Sequence, residues 1–418
     1  MKKVVALVLT LALLLAACSA LAEKTQLTLW SIAVDSDANT PAYEKAIDDF
    51  NRFTNVVSGD DAGYEVVMEA TQNEDYKTKI KAAMSAGEGL PDIFFTWSMS
   101  FLGDFVEAGR VLCLDDAIAP YMSELSDTML ANTTYDGKHY GVPMTMNVVT
   151  LFANLDLLKK AGWDKAPENF DELVKCCDDL VAAGIVPFGV AGKEAWCLSE
   201  YTEPLLVKTI GADGLKKCYT GEADWNQEGV IKAMTIFTDF IQKNYFDPNA
   251  SALGNEEVKQ NFLAGKTAFY QNGSWNCGEV AAKGENFVAI PFPVIDETKS
   301  SLYQFVGGPN DTLAVTATAK DPEAAAKIAV LFGRIISREG NLIGSGLPAW
   351  AVNYKTNTVN RVSKSVAEMV AKSDGMVLFG DNFLSADAAN TYLEFITQLF
   401  AGDITAEEFA QGLDAELK

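Results

Sequence analysis

The residues of this chain that are best suited to chemistry are tryptophans placed just after predicted strands. Trp275 is the clearest case, because the stretch NFLAGKTAFYQNGSWN over 261–276 predicts a helix, a short strand and a turn in succession. Asn272 and Gly273 are expected in that turn with positive backbone dihedrals. An indole flanked by amides suits a sugar, whose apolar C–H face can lie on the ring while its hydroxyls bond the amides. The stretch alone is equally consistent with a buried core aromatic.

Two more tryptophans end predicted strands nearer the N-terminus. Trp30 ends the alternating strand QLTLW and is followed by Ser31, and Trp97 follows the buried strand PDIFF and precedes Ser98. Ligands of α/β sheets bind outside the carboxyl ends of the strands. We therefore expect both Trp–Ser pairs at a cleft, although Trp30 could equally pack in the core.

Glu194 and Trp196 lie at a further strand-to-helix junction. They follow the predicted strand 184–190 and precede a helix predicted from about residue 198. The same argument about strand ends places both side chains at the cleft, provided that this part of the chain is also an α/β lobe.

Catalytic chemistry has little support in the sequence. His139 is the single histidine and its setting, GKHYG, is typical of a turn, so a histidine-based zinc site or a Ser–His or Cys–His pair would depend on it alone. A glycoside hydrolase needs two carboxylates flanking a bond, and no motif couples two of the acids placed near the cleft, which are Asp35, Glu194 and Asp381. We predict no catalytic residue, no metal and no cofactor, and keep a secreted glycoside hydrolase as an alternative.

Length and charge bound the class of protein. A chain of 418 residues exceeds what one hydrophobic core usually spans, so two domains are expected. The formal net charge of −24 argues against nucleic acid as a partner, because phosphates attract basic patches. We interpret the acidic surface as an aid to solubility.

Residues 1–22 are predicted to be a signal segment rather than part of the fold. A lysine pair precedes the apolar run 4–17, which is short for a membrane span. The lipobox LAAC would leave Cys18 as a lipidated N-terminus, whereas the site ALA at 20–22 would release a soluble protein; the lipobox is preferred. Either way we expect the chain to leave the cytoplasm. Six further cysteines allow several pairings, and the sequence does not choose among them.

Strands and helices alternate over residues 26–98, which predicts a mostly parallel sheet with helices on both faces, and the chain as a whole is predicted to be α/β. The segments predicted to cross between two lobes are 144–147, 305–309 and 347–350. The lobes would comprise residues 26–145 with 307–347, and residues 148–305 with 350–418.

Several motifs occur in an order that is typical of one family. They are LTLW at 27–30, AGEGLPDIFFTW at 86–97, YGVPMTMN at 140–147, FLAGKTAFYQNGSW at 262–275, and AVTATAKDPEAAAK at 314–327, which follows the pair Gly307–Gly308. With them the chain resembles the extracellular solute-binding proteins, family 1, of ABC importers, over essentially the whole exported chain.

The resemblance implies a two-lobed periplasmic-binding-protein-like fold of type II, with a ligand cleft between the lobes and three hinge crossings. It also implies a monomer that binds a small-molecule carbohydrate and delivers it to an ABC transporter permease. The family's chemistry is binding, with hinged closure of the lobes around the sugar.

Site residues carry over from the family motif by motif. Trp275 and Trp196 stand where the family has stacking aromatics, and Trp97 stands close to another. Glu194 lies near a hydroxyl-binding acid. Asn147 and Ser100 depart from the pattern, because acids are expected there, and this leaves a maltose ligand unsupported. The wider candidate set adds Ser98, Asn272, Gly308, Asp35, Trp350 and Asp381. A sensor or adhesin partner, or a receptor for a non-sugar solute, would use the same fold.

Overall fold

The structure is a computed structural model that describes residues 24–57 and 63–417. The predicted signal segment, including Cys18, lies outside the described residues. Within them, no helix is long and apolar enough to cross a membrane. The strands are β1 (Thr25–Ser31), β2 (Tyr64–Ala70), β3 (Ile93–Trp97), β4 (Thr134–Tyr135), β5 (Lys138–His139), β6 (Val142–Pro143), β7 (Thr145–Asn154), β8 (Val186–Gly189), β9 (Thr267–Gly273), β10 (Phe287–Ile290), β11 (Gln304–Pro309), β12 (Asp311–Val315), β13 (Leu347–Pro348) and β14 (Gly375–Val377).

The α-helices complete both lobes. They are α1 (Thr40–Val57), α2 (Asn73–Ala86), α3 (Ser100–Glu107), α4 (Asp115–Ile118), α5 (Asp127–Leu130), α6 (Leu155–Lys160), α7 (Phe170–Ala182), α8 (Ala195–Ile210), α9 (Ala212–Tyr219), α10 (Glu228–Gln242), α11 (Asn255–Leu263), α12 (Cys277–Ala282), α13 (Pro322–Ile343), α14 (Arg361–Val370), α15 (Gly380–Phe383), α16 (Ala386–Ala401) and α17 (Ala406–Glu416).

The first lobe is built on a five-stranded sheet in the order β2–β1–β3–β12–β6. β1 is parallel to β2 and β3, so their carboxyl ends, at Ser31 and Trp97, lie at one edge. All residues of β3 are buried, as expected of a strand that is covered on both faces. β12 is antiparallel to both β3 and β6. The sheet is therefore mixed, with its parallel part where the sequence predicted it.

The second lobe is built around β7. Its sheet has the order β14–β11–β7–β9–β8, and β10 and β13 also pair with β7. β7 is antiparallel to β9, β10, β11 and β13, whereas β8 with β9 and β11 with β14 are parallel pairs. The sequence predicts a mostly parallel sheet only from the strands of the first lobe; in this lobe the central strand β7 has antiparallel partners throughout. Hydrophobic patterning locates a strand but does not give the direction of its partner.

Each sheet carries its own hydrophobic core. The first core includes Leu29, Phe94 and Leu313, and the second includes Phe188 and Phe237; all five side chains are fully buried. A smaller cluster on β7, β9 and α14 continues the second core. Two cores are what a chain of this length is expected to need.

Two crossings between the lobes are single-residue links. β6 belongs to the first sheet and ends at Pro143, and β7 belongs to the second and begins at Thr145, so the chain crosses at Met144. β11 ends at Pro309 and β12 begins at Asp311, so the second crossing falls at Asn310. Links this short hold the ends of two sheets close together and leave few residues to act as a hinge.

The third connection is longer than the predicted segment 347–350. β13 pairs with β7, but Trp350 then packs in the first core, where it is 4% exposed and its indole N–H donates to the Pro143 carbonyl at 2.8 Å. The chain reaches the second lobe by α14, whose Val362 belongs to the cluster beside the second core. The sequence assigned residue 350 to the second lobe, and the packing of Trp350 corrects this. The remaining lobe boundaries stay a proposal.

Candidate ligand-binding cleft

The end of β9 delivers Trp275. The strand continues to Gly273, which pairs with Val149 of β7, and Trp275 then follows in a 3-10 turn over Ser274–Asn276. Gly273 has φ −69°, and Asn272 is not among the positive-φ residues, so the positive dihedrals predicted for both are wrong. Glycine is needed here for another reason. A Cβ at residue 273 would lie 2.1 Å from Cζ3 of Trp275, because the indole folds back over the strand.

A cavity of about 370 Å³ lies between the two lobes. The first lobe contributes the loop after β1, the start of α2 and the end of β3, and the second contributes the start of α8, the loop before α11 and the segment 379–382. Small-molecule sites are commonly clefts of this size between domains. Five of the predicted site residues line the cavity: Trp97, Glu194, Trp196, Trp275 and Asp381.

Three aromatic rings from the second lobe form one side of the cavity. The ring centres of Trp196 and Trp275 are 6.2 Å apart at an angle of 57°. The ring centre of Phe379 lies 6.3 Å from that of Trp275, at an angle of 47°. The two tryptophans are half-buried, so part of each ring is available to the cavity. Phe379 was missed because the short strand before it, β14 (Gly375–Val377), was not predicted from the sequence.

Trp97 contributes less surface than the sequence predicted. It is 8% exposed and packs edge-on against Tyr76, Phe95 and Phe101 in the first core. The Lys77 ammonium lies 5.2 Å from its ring centre. Most of the Trp97 ring is therefore packed in the core, and only its edge lines the cavity.

Glu194 holds neighbouring parts of the wall in place. Its Oε2 accepts a hydrogen bond from the indole N–H of Trp196 at 3.1 Å, and its Oε1 accepts one from the backbone N–H of Asn255 at 2.8 Å. Both carboxylate oxygens thus have protein donors. Glu194 connects the start of α8 to the start of α11 and orients the Trp196 ring.

Three predicted residues lie at the crossings rather than in the cavity lining. The Asn147 amide donates to Oδ2 of Asp311 at 3.0 Å, and its Oδ1 accepts from Ser274 Oγ at 2.9 Å. Ser98 Oγ donates to the Pro309 carbonyl at 3.2 Å. Gly308 pairs with Asn147 across β11 and β7. Asn147 thus links β7 to the cavity-lining Asp311, and Ser98 links the end of β3 to the end of β11.

The remaining predicted residues lie elsewhere. Trp30 packs against the first core beneath a lysine ammonium 3.9 Å from its ring centre. Ser31 is fully buried and accepts a hydrogen bond from a nearby backbone N–H. Asp35 is exposed on the loop after β1, outside the lining. The buried amide of Asn272 bonds within its own turn, and Trp350 is a core residue.

Two acids that the sequence analysis did not single out face the cavity near the crossings. Burial raises the pKa of Asp37 to about 7; a hydrogen bond from the Asn39 backbone opposes this shift, and repulsion from Asp311 adds to it. Burial also raises the pKa of Asp311 to about 6, against hydrogen bonds from Thr145 and Asn147. Asp37 could have been suspected from the polar loop that follows β1, and Asp311 from its place three residues after the paired glycines.

The cavity wall as a whole is acidic. Its acidic residues are Asp37, Glu194, Glu200, Glu256, Glu257, Asp311 and Asp381, and its basic residues are Lys77 and Lys193. Across residues 24–57 and 63–417, no group of three or more His, Cys, Asp or Glu side chains is arranged to hold a metal ion. The cysteines of the described chain, Cys113, Cys176, Cys177, Cys197, Cys218 and Cys277, are free thiols.

Comparison with known proteins identifies the family. The sequence model of the bacterial extracellular solute-binding protein family matches residues 36–331, and the chain belongs to this family. The maltotriose-binding protein of Pyrococcus abyssi is 26% identical over 236 residues, which are 55% of this chain and 47% of that protein. A probable sugar-binding periplasmic protein of Mesorhizobium japonicum is 23% identical over 343 residues, 75% of this chain and 79% of that protein.

The match to some relatives is partial. The chain spans about half the length of two archaeal relatives, 47% of the maltotriose-binding protein and 58% of an uncharacterized ABC transporter extracellular-binding protein of Pyrococcus horikoshii.

Solved structures agree on the fold. A structure from work on xylan utilization by the thermophilic bacterium Caldanaerobius polysaccharolyticus has a TM-score of 0.88 at 29% identity, covering 94% of this chain and 100% of that chain. A chitin oligosaccharide binding protein has a TM-score of 0.83 at 23% identity, covering 94% and 98%. The predicted two-lobed α/β fold, with its cleft between the lobes, is confirmed.

Proposed function

We propose that this protein is the substrate-binding component of an ABC importer, which captures a carbohydrate between its two lobes and delivers it to a membrane permease. The observation that carries the proposal is the cavity wall of Trp196, Trp275 and Phe379 opposite acidic and amide groups of the first lobe. Aromatic faces suit the C–H face of a pyranose, and carboxylates accept hydrogen bonds from its hydroxyls.

The relatives support the sugar class. Curated relatives are a maltotriose-binding protein and a maltodextrin-binding protein, the latter 27% identical over 247 residues. The proposed chemistry is binding without catalysis. In keeping with this, the best-placed acid of the aromatic wall, Glu194, already accepts hydrogen bonds on both oxygens, which suits an orienting group better than a general acid or nucleophile.

The proposal includes a location and a state of assembly. A monomer, anchored outside the cytoplasm by a lipid on Cys18, would keep the cleft free and the protein near its permease. Labelling with a radioactive fatty acid tests the anchor. Incorporation that is lost in Cys18→Ala supports it, and a soluble product cleaved after Ala22 contradicts it.

Thermal unfolding of residues 23–418 with a sugar panel tests the function. The panel is xylotriose, cellotriose, maltotriose and chitotriose, with amino acids and a tripeptide as controls. A ligand at 100 times its Kd adds about 2.7 kcal/mol to the stability of the form that binds it, which raises Tm by a few degrees. Each sugar is recovered afterwards and its length measured by chromatography.

A shift with sugars alone, with the sugar recovered intact, supports the proposal. A shift with a peptide or an amino acid but with no sugar would overturn the ligand class. Cleavage of the bound sugar would instead establish the glycoside hydrolase alternative.

A further inference from the structure

Three acidic side chains of the second lobe lie close together at the wall of the cavity. Glu200 and Glu203 lie one turn apart on α8, and Asp381 lies on α15. Glu200 is 1% exposed and Glu203 is 0% exposed, although both are carboxylic acids. Glu200 and Asp381 line the cavity, and Glu203 does not.

The two glutamates differ in their partners. Glu203 Oε1 accepts a hydrogen bond from the Gly380 backbone N–H at 3.0 Å. Neither carboxylate oxygen of Glu200 has a hydrogen-bond partner among the described residues. A buried polar group without a partner is costly. Because Glu200 faces the cavity, a molecule bound there can supply the missing donor.

The charges around Glu200 restrict what that molecule can be. Burial first, and then repulsion from Glu203 and Asp381, raises the pKa of the Glu200 carboxyl well above its usual range. Burial and Asp381 raise the pKa of Glu203 to about 8. The burial and the neighbouring acids that disfavour the ionised form of Glu200 would equally disfavour a ligand carboxylate in the same place. Of the two cavity lysines, Lys77 lies over the Trp97 ring, and its charge opposes the rise that burial causes in the pKa of Asp381.

We propose that Glu200 and Asp381 form a subsite for a hydrogen-bond-donating group of the bound sugar, a hydroxyl or a protonated amine, and that this subsite excludes sugars bearing a carboxylate. The inference rests on the proposed function and adds a specificity residue, Glu200, to it. The aromatic wall recognises the face of a sugar ring, which neutral, amino and acidic sugars share. The carboxyl cluster therefore distinguishes these sugars by their charge.

Isothermal titration with four β-1,4-linked probes tests the subsite. They are xylotriose, cellotriose, the glucosamine trimer and the glucuronic acid trimer, which share one linkage and differ in charge. The wild-type protein is expected to bind a neutral or amine probe at least about 30-fold more tightly than the acidic trimer, because an unpaired carboxylate is strongly disfavoured in a buried site that already holds three carboxyl groups. Tighter binding of the neutral probes indicates that the donating group is a hydroxyl, and tighter binding of the glucosamine trimer indicates an amine.

Glu200→Gln is the main variant, since it replaces the ionisable carboxyl and keeps the shape. It is expected to weaken the preferred probe by about three- to tenfold, as for loss of one hydrogen bond, and so to narrow its preference over the glucuronic acid trimer. Glu203→Gln is the matched control. It changes an equally buried acid on the same helix that does not line the cavity, and should alter probe affinity less.

Asp381→Asn provides a second test if Glu200→Gln does not fold, as judged by its Tm. Glucuronic acid trimer binding as tightly as cellotriose would overturn the inference, as would unchanged affinities in both Glu200→Gln and Asp381→Asn. Lack of binding of all four probes would also overturn it. The proposed function is contradicted as well only if none of the sugars in the thermal unfolding panel binds.

Discussion

At the scale of single residues, Trp275 is the cavity-lining side chain that we propose contacts the sugar most directly. Its ring contacts both Trp196 and Phe379, so a sugar on this wall would cover part of the indole. The ring is placed by the turn after β9, and no hydrogen bond of its indole N–H is seen within residues 24–57 and 63–417. Its contribution to affinity should therefore be separable from its contribution to folding.

We predict that Trp275→Ala weakens sugar binding by about 1–3 kcal/mol, the magnitude of burying an aromatic against apolar surface. Titration calorimetry with the sugar found in the thermal panel measures the change in Kd. Trp163→Ala is the control: this indole packs on the second core, donates to Asp179 at 3.0 Å and lies outside the cavity lining. An unchanged Kd in Trp275→Ala would remove the residue from the site.

Asp37 gives a prediction about pH. Its pKa in the folded protein, about 7, is above the ordinary value of 3.8, so the folded state holds a proton that the unfolded state releases. The contribution of Asp37 to stability is thus most favourable below about pH 4 and is lost as the pH rises to about 7.

Asp37→Asn should consequently gain stability relative to the wild-type protein as the pH is raised through this window. Urea unfolding of both proteins without sugar, from pH 4.5 to 8 in steps of roughly half a unit, measures the difference in the free energy of unfolding. Asp35→Asn, on the exposed part of the same loop, serves as control. A difference that is constant with pH contradicts the shifted pKa of Asp37.

At the scale of elements, the turn after β9 shows how a strand end shapes the site. Gly273 still pairs with Val149 in the sheet, yet the Trp275 ring lies directly above it. The strand supplies the position of the turn, and the missing Cβ supplies the space for the ring.

We predict that Gly273→Ala displaces the Trp275 ring and weakens sugar binding while β9 remains paired. The physical reason is the 2.1 Å approach between the added Cβ and the ring, because residue 273 has an extended backbone that alanine readily adopts. Tryptophan fluorescence and the Kd report the displacement. Gly402→Ala is the control. Gly402 is a helix C-cap with a φ of +78°, and an added Cβ there would have nothing within 4 Å. This variant should lower stability and leave the Kd unchanged.

At the scale of the whole molecule, the lobes meet through few polar contacts beyond the crossings. Ser100 Oγ on α3 donates to the Phe383 carbonyl on α15 at 2.9 Å. Lys259 on α11 lies 3.5 Å from the carbonyl oxygen of Ser36 in the loop after β1. Because such contacts are few, a ligand that touches both lobes can shift the arrangement of the lobes.

Ser100→Ala should therefore weaken sugar binding modestly, by about 0.5–1.5 kcal/mol, because it removes one neutral hydrogen bond between the lobes. Titration gives the Kd, and small-angle scattering with and without sugar gives the change in radius of gyration. Thr397→Ala is the matched control, since it removes a comparable side-chain hydrogen bond, to Leu393, inside one helix. An equal loss of affinity in both variants would contradict a role between the lobes.

The sequence by itself located the longer strands and helices and the aromatic residues at the ends of those strands. Trp196 and Trp275 could be assigned to the cleft because a residue just after a strand has a predictable place at the sheet edge. The order of the motifs also indicated the family and the two lobes. These features depend on residues close together in the chain.

Only the tertiary structure decided which side chains share the cavity. Asp37 and Asp311 are close in space but come from opposite ends of the first lobe's sequence, and Asn147 reaches Asp311 rather than the cavity. Trp350 entered the first core although its neighbours in the sequence lead to the second lobe. Such proximities follow from sheet order and strand direction, which bring together residues more than a hundred positions apart and leave no local pattern in the sequence.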